Sequence, residues 1–163
     1  RDLVRSRGLG DVYKRQFGYY TPDKETLFCK QLLRKENEII GYETGLSALN
    51  RIGLVSQMPK RRCIATNLHT KRIPEGMQIE IRKPPIVVNS GNFRYLQILD
   101  AIRELDMAPV DTAKPIDVVR ATVEEFTLKT EMLILMARKY YGQKTLLRTI
   151  DILLEGSYET ARG

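Results

Sequence analysis

The chain has 163 residues, 42% of them hydrophobic and 29% charged, with a formal charge of +7. That is one ordinary domain, or one domain with an appendage, long enough to enclose a core. No apolar run approaches the roughly 18 residues of a membrane-spanning helix. Two cysteines, Cys29 and Cys63, are too few and too far apart for a disulfide scaffold or a cysteine-rich zinc module, and they suit a reducing cytoplasm. The single histidine, His69, leaves little room for histidine-based metal or triad chemistry.

In chain order, residues 1–16 hold five basic and two acidic residues with few apolar anchors. This stretch begins with Arg1 and resembles the peptide left by sequencing-adapter read-through in metagenome assemblies. It is set aside from the fold as a non-native tail. Thr21-Pro22-Asp23 then opens a helix: a hydroxyl cap, a proline in the first turn and a carboxylate at the positive end. Leu27, Phe28, Leu32 and Leu33 form its apolar side. Glu38 to Tyr42 reads as a short buried strand. Thr44 caps a second short helix from Gly45 to about Ile52, which Gly53 closes.

Arg61 to Asn67 and Met77 to Lys83 read as two strands, the second alternating Met77, Ile79 and Ile81 with polar neighbours. With the turn signal Pro74-Glu75-Gly76 between them, they are expected to form a hairpin. Ile86 to Val88 adds an edge strand, since Pro84-Pro85 cannot donate to a ladder. From Asn92 the period becomes helical. Tyr95, Ile98, Leu99, Ile102 and Leu105 mark one face of a helix. After a linker with Pro109, Pro115 restarts a helix carrying Ile116, Val119, Val123 and Phe126. Leu133, Met136, Ala137 and Tyr140 mark the next, with Met132 on the same stripe, and Leu146, Ile150 and Leu153 the last. The expected class is α+β: a small mixed module over 17–112 with a short sheet, then a helical region over 113–163.

The net charge beyond residue 16 lies in one window. Residues 17–59 are neutral and residues 84–163 carry −1, whereas residues 60–83 carry +5. The window holds Lys60, Arg61, Arg62, Lys71, Arg72, Arg82 and Lys83 against Glu75 and Glu80. Such a patch attracts phosphate backbones or an acidic protein face. Equally, Lys and Arg along a strand protect an exposed edge. With no interleaved aromatics, base stacking on a single strand is disfavoured.

Catalytic constellations are thin. Gly41-Tyr-Glu-Thr-Gly45 sits at a strand-to-helix turn but lacks the G-x-G-x-x-G spacing and a Walker lysine. Asp23 with Glu80-Ile81-Arg82 distantly resembles a metal-dependent nuclease pattern, with arginine where lysine is needed. Cys63 and His69 are the one nucleophile–base pair on offer. No cofactor or metal is expected from these residues.

The block Ile40-Gly-Tyr-Glu-Thr-Gly-Leu-Ser-Ala-Leu-Asn-Arg-Ile-Gly-Leu-Val-Ser-Gln-Met-Pro59 is more distinctive. It resembles the G-Y-x-T-G-x-S-A-x-N-x-L-G-L-x-x-Q-x-P block of the AbiEi-like antitoxins. Arg62 to Asn67, Met77 to Arg82, Tyr95 to Ile102, Ala137 to Tyr141 and Leu146 to Glu155 resemble the blocks that follow it, so the likeness runs from about Phe17 to Glu155. It marks Gly41, Tyr42, Thr44, Gly45, Asn50, Gly53, Gln57 and Pro59 as structural motif residues; Asn50 and Gln57, polar among apolar neighbours, are expected to bond backbone. The resemblance implies a non-enzymatic antitoxin and transcriptional regulator of a bacterial type IV toxin–antitoxin, or abortive-infection, system in the cytoplasm. Its partners would be promoter DNA, read by an N-terminal winged helix, and a nucleotidyltransferase-like toxin opposed without a stable complex. Phe17 to Tyr20 resembles the end of the wing, so this chain would lack the recognition helix and bind DNA weakly at most. The alternative is a metal-dependent nuclease or nucleotidyl-transfer enzyme.

Overall fold

The computed structural model describes residues 23–108 and 110–162, with side chains as far as Leu154. The 1–16 tail, the wing-like 17–20 stretch and the Thr21-Pro22 helix start lie outside the described residues. Helix α1 (Lys24–Leu33) is capped by Asp23, whose carboxylate accepts the Thr26 amide at 2.7 Å. That bond satisfies one of the orphan donors of the first turn and holds the Asp23 carboxyl below its ordinary range. The buried side is Phe28, Cys29 and Leu32; Leu27, expected there, is 44% exposed.

The strand expected over 38–42 is split in two. A small hairpin, β1 (Arg34–Lys35) and β2 (Glu38–Ile39), turns through Glu36 at φ 57. At Ile40 the chain changes partner: its amide donates to Leu33 and its carbonyl accepts from Asn67. Strand β3 (Gly41–Glu43) then enters the main sheet.

That sheet has the order β3-β4-β5, with β4 (Arg62–Thr66) and β5 (Ile79–Arg82). β3 and β4 are antiparallel, Tyr42 opposite Ala65, whereas β4 and β5 are parallel, Ile64 opposite Ile81. The expected hairpin is therefore a crossover. Gly76 does turn, at φ +90, but residues 67–78 first carry the chain back along the sheet. Leu68, Ile73 and Met77 of that connection pack with Phe28, Cys29, Leu32, Ile64 and Ile79 under α1. Covering these apolar side chains holds the return path against one face of the sheet.

Nor do Ile86 to Val88 form a strand. The Asn67 side chain takes the ladder's place, accepting the Val88 amide at 2.8 Å and donating to its carbonyl at 3.0 Å. With its backbone thus satisfied, Val88 is buried without a neighbouring strand.

Helix α2 (Gly45–Arg51) starts at Gly45, φ +58, where the Arg82 guanidinium lies against the backbone; Gly53 closes it at φ +92. Its loop is tied by Asn50, whose Nδ2 lies 3.1–3.3 Å from the carbonyls of Val55, Ser56 and Gln57. Gln57 itself is exposed and makes no side-chain hydrogen bond among the described residues. Asn50→Ala is expected to cost about 1–2 kcal/mol by urea denaturation, because the carbonyl partners lose their donor. Gln57→Ala is expected to stay within about 0.5 kcal/mol.

The other face of the sheet receives α2 and α3 (Phe93–Glu104), and the remaining helices, α4 (Pro115–Glu125), α5 (Thr130–Tyr140) and α6 (Gln143–Arg162), assemble on α3. One apolar cluster joins Tyr42, Leu49, Leu99, Val123, Leu133 and Ile152, on both sides of residue 112. The fold is α+β, as composition and period suggest. Two helical stripes differ from expectation. On α6 the fully covered seam is Thr145, Thr149 and Ile152, while Leu146, Ile150 and Leu153 flank it half-buried. On α5, Met132 in the first turn and Tyr140 at the end are partly exposed, and Tyr141 turns inward instead.

Candidate functional site

The chemically densest point is a buried carboxylate. Asp100, on α3, is 3% exposed. Its Oδ2 accepts the Thr44 hydroxyl at 2.6 Å and the Tyr42 hydroxyl at 3.2 Å, and its Oδ1 accepts the Tyr141 hydroxyl. Arg103, one turn along, stands 3.7 Å from Oδ1 and lies over the Tyr141 ring. Beside it Gln97 donates to the Glu43 carbonyl at 3.0 Å. Thr44 was expected to cap α2 with its hydroxyl; it makes no cap bond and serves Asp100 instead. Each hydroxyl thereby gains an acceptor that burial would otherwise deny it. Burial pushes the Asp100 carboxyl upward, opposed by hydrogen bonds from Thr44 and Tyr141, the Arg103 charge and the Tyr42 bond. Buried at Asp100, Thr44 and Tyr42 and open to solvent only towards Tyr141 and Arg103, this cluster joins β3, α2, α3 and the α5 C-terminus; its geometry is that of a rivet.

Burial, followed by the nearby Asp100 charge, pushes the Tyr42 and Tyr141 hydroxyls well above the ordinary tyrosine range. Unfolded tyrosines ionise near about pH 10 while these two hold their protons when folded. Their contribution is complete below about pH 10 and declines as pH rises beyond it, by up to about 1.4 kcal/mol per pH unit for each tyrosine. Tyr141→Phe should flatten the alkaline branch of Tm against pH; an unchanged branch would show that this hydroxyl is not held neutral.

The basic window does not gather into one patch. Because β4 and β5 run parallel, Lys60, Arg61 and Arg62 stand at the start of the strand pair and Lys83 at its far end. Lys71 and Arg72 ride on the crossover, where Lys71 donates to Gln31 and lies over the Phe28 ring. Arg62 reaches Glu43 at 3.6 Å, and Arg82 spans Glu80 at 2.8 Å and Glu104 at 3.4 Å. Lys60, Arg61 and Arg82 line a cleft of about 440 Å³ beside Pro59, and Lys83 faces a separate cleft of about 350 Å³ with His69.

The candidate catalytic residues are likewise dispersed. Cys63 is buried with its thiol 3.7 Å from Glu80; burial and that carboxylate push the thiol up, away from a reactive thiolate. His69 lies beyond the opposite end of β4. Asp23 is engaged at its helix cap, and the Arg82 bond holds Glu80 low. Among the described residues no group of three His, Cys, Asp or Glu side chains is placed to hold a metal ion. Nor is any helix among the described residues long and apolar enough to cross a membrane.

Sequence reasoning did not single out Asp100 or Tyr141. The available signal was polar residues, Gln97 and Asp100, inside a helical segment otherwise apolar from Leu96 to Ile102. Comparison with family models, with curated proteins and with solved structures found no match to this chain.

Proposed function

We propose that this chain is a non-enzymatic antitoxin and transcriptional-regulator component of a bacterial type IV toxin–antitoxin system, acting in the cytoplasm. One observation supports the reading most. Polar residues of three separate motif blocks meet at one point: Tyr42 and Thr44 from the Ile40–Pro59 block, Asp100 from the Tyr95–Ile102 block and Tyr141 from the Ala137–Tyr141 block. Residues that recur together in a family motif without a catalytic role are accounted for by a shared buried junction. On this reading operator DNA is read by a winged helix, the toxin is opposed functionally, and Lys60, Arg61, Arg72 and Lys83 make sequence-blind phosphate contacts at most.

The test is a salt-titrated DNA-binding assay on residues 17–163, beside the full reading frame recovered from the source DNA. The proposal predicts weak, steeply salt-dependent binding by the shorter protein and selective promoter binding by the longer. Selective binding by the shorter protein would move the DNA reader into residues 17–163. Failure of both to bind would overturn the regulator reading.

A further inference from the structure

A cleft of about 310 Å³ opens between the β1–β2 hairpin, the β3–α2 segment and the start of α3. Three arginines line it, Arg34, Arg51 and Arg94, together with Phe93 and Glu43. None belongs to the basic window of residues 60–83; the cleft assembles cations from segments that are neutral or acidic on average. Glu43 is shared by Arg51 and Arg62. Among the described residues no carboxylate forms an ion pair with Arg34 or Arg94, and the Arg94 guanidinium makes only a long contact, 3.5 Å, with Gln97.

Arg94 is nevertheless fixed in place. Its guanidinium lies 4.0 Å from the centre of the Phe126 ring and 4.7 Å from that of Phe93. Stacking leaves the edge of the guanidinium, which carries the N–H groups, available to an acceptor. Burial and then the neighbouring Arg51 charge push its pKa down, with Glu125 opposing, so the cationic form is undercompensated there. Three arginines against one carboxylate leave an excess of two positive charges.

We propose that this cleft binds a small ligand through a terminal phosphate monoester. Such a group carries about −1.5 to −2 charges near pH 7, matching that excess better than a carboxylate or a phosphodiester with one charge. Arginine's planar fork suits its oxygens, and the volume lies at the lower end of the roughly 300–1,000 Å³ usual for small-molecule sites. The inference does not rest on the toxin–antitoxin reading.

The experiment is calorimetric titration of the folded chain with inorganic phosphate, adenosine monophosphate and adenosine. Inorganic phosphate and the nucleotide should compete for one site, while adenosine should not bind. Arg94→Ala and Arg34→Ala should each weaken binding about tenfold or more, as loss of a charge-assisted contact does. Arg34 is exposed on the hairpin, so its replacement leaves the core intact; circular dichroism would check folding of both variants. Binding should also fall below about pH 6, where the monoester takes up its second proton. Equal binding of adenosine, or wild-type affinity in both variants, would overturn the proposal. So would binding of a phosphopeptide or a DNA duplex that inorganic phosphate does not displace.

Discussion

Asp100→Leu is expected to lower the unfolding free energy by about 3–5 kcal/mol, the range for removing one partner of a buried charged cluster. Three buried hydroxyl donors, those of Tyr42, Thr44 and Tyr141, lose their acceptor together. Asp100→Asn keeps the shape and one acceptor oxygen and should cost about 1–2 kcal/mol. Combining Asp100→Leu with Tyr42→Phe, Thr44→Val and Tyr141→Phe should recover part of the loss, because no donor is then left stranded. The charge also has a pH signature. Burial raises the folded Asp100 carboxyl, so the folded state binds its proton more tightly than the unfolded state. That contribution is complete below the ordinary carboxylate range and declines as pH rises through the raised value. Asp100→Asn should abolish this decline. Urea midpoints across the acid range would show it, and an Asp100→Leu protein as stable as wild type would refute the rivet.

Gly41→Ala should be comparably severe, about 3 kcal/mol or more. A Cβ at this site would fall within contact distance of the Leu32 carbonyl, 2.8 Å from the Ala65 carbonyl and 3.0 Å from the Thr66 Cβ. Two of these are backbone atoms of α1 and β4, which cannot yield as a flexible side chain would. The cost arises from close approach of chain to chain, without a left-handed backbone. Gly76→Ala is the counterpart: nothing lies near its Cβ, but φ is +90, so about 1 kcal/mol is expected from conformation alone. Equal losses at the two sites would contradict the packing argument.

Much of the fold was legible because local periods were strong. Asn92 onward reads as helix, and α3 begins at Phe93; Pro115 opens α4 as its fixed φ allows. Which face is buried was harder to read. A stripe rule assumes one covered side, yet residues 96 to 102 of α3 are all buried because the helix is packed round by the sheet and four helices. Asp100 is off the Tyr95–Leu105 stripe, and yet it is the centre of a buried cluster. The parallel crossover was hidden for a related reason: Pro74-Glu75-Gly76 does specify a turn, but a turn signal carries no information about the Leu68, Ile73 and Met77 side chains that pin the return path. The edge strand at 86–88 was lost to a single side chain, Asn67, whose amide mimics a ladder. At the surface, charge summed over windows found residues 60–83 and passed over Arg34, Arg51 and Arg94, which only tertiary structure brings together.

The most direct measurement is growth rescue. The chain would be co-expressed with the nucleotidyltransferase-like toxin that the proposed function requires. The account predicts restored growth that survives Asp23→Ala and Glu80→Ala, since it assigns neither carboxylate a catalytic task. Continued arrest with the chain present in soluble form, or protection abolished by either replacement, would contradict it.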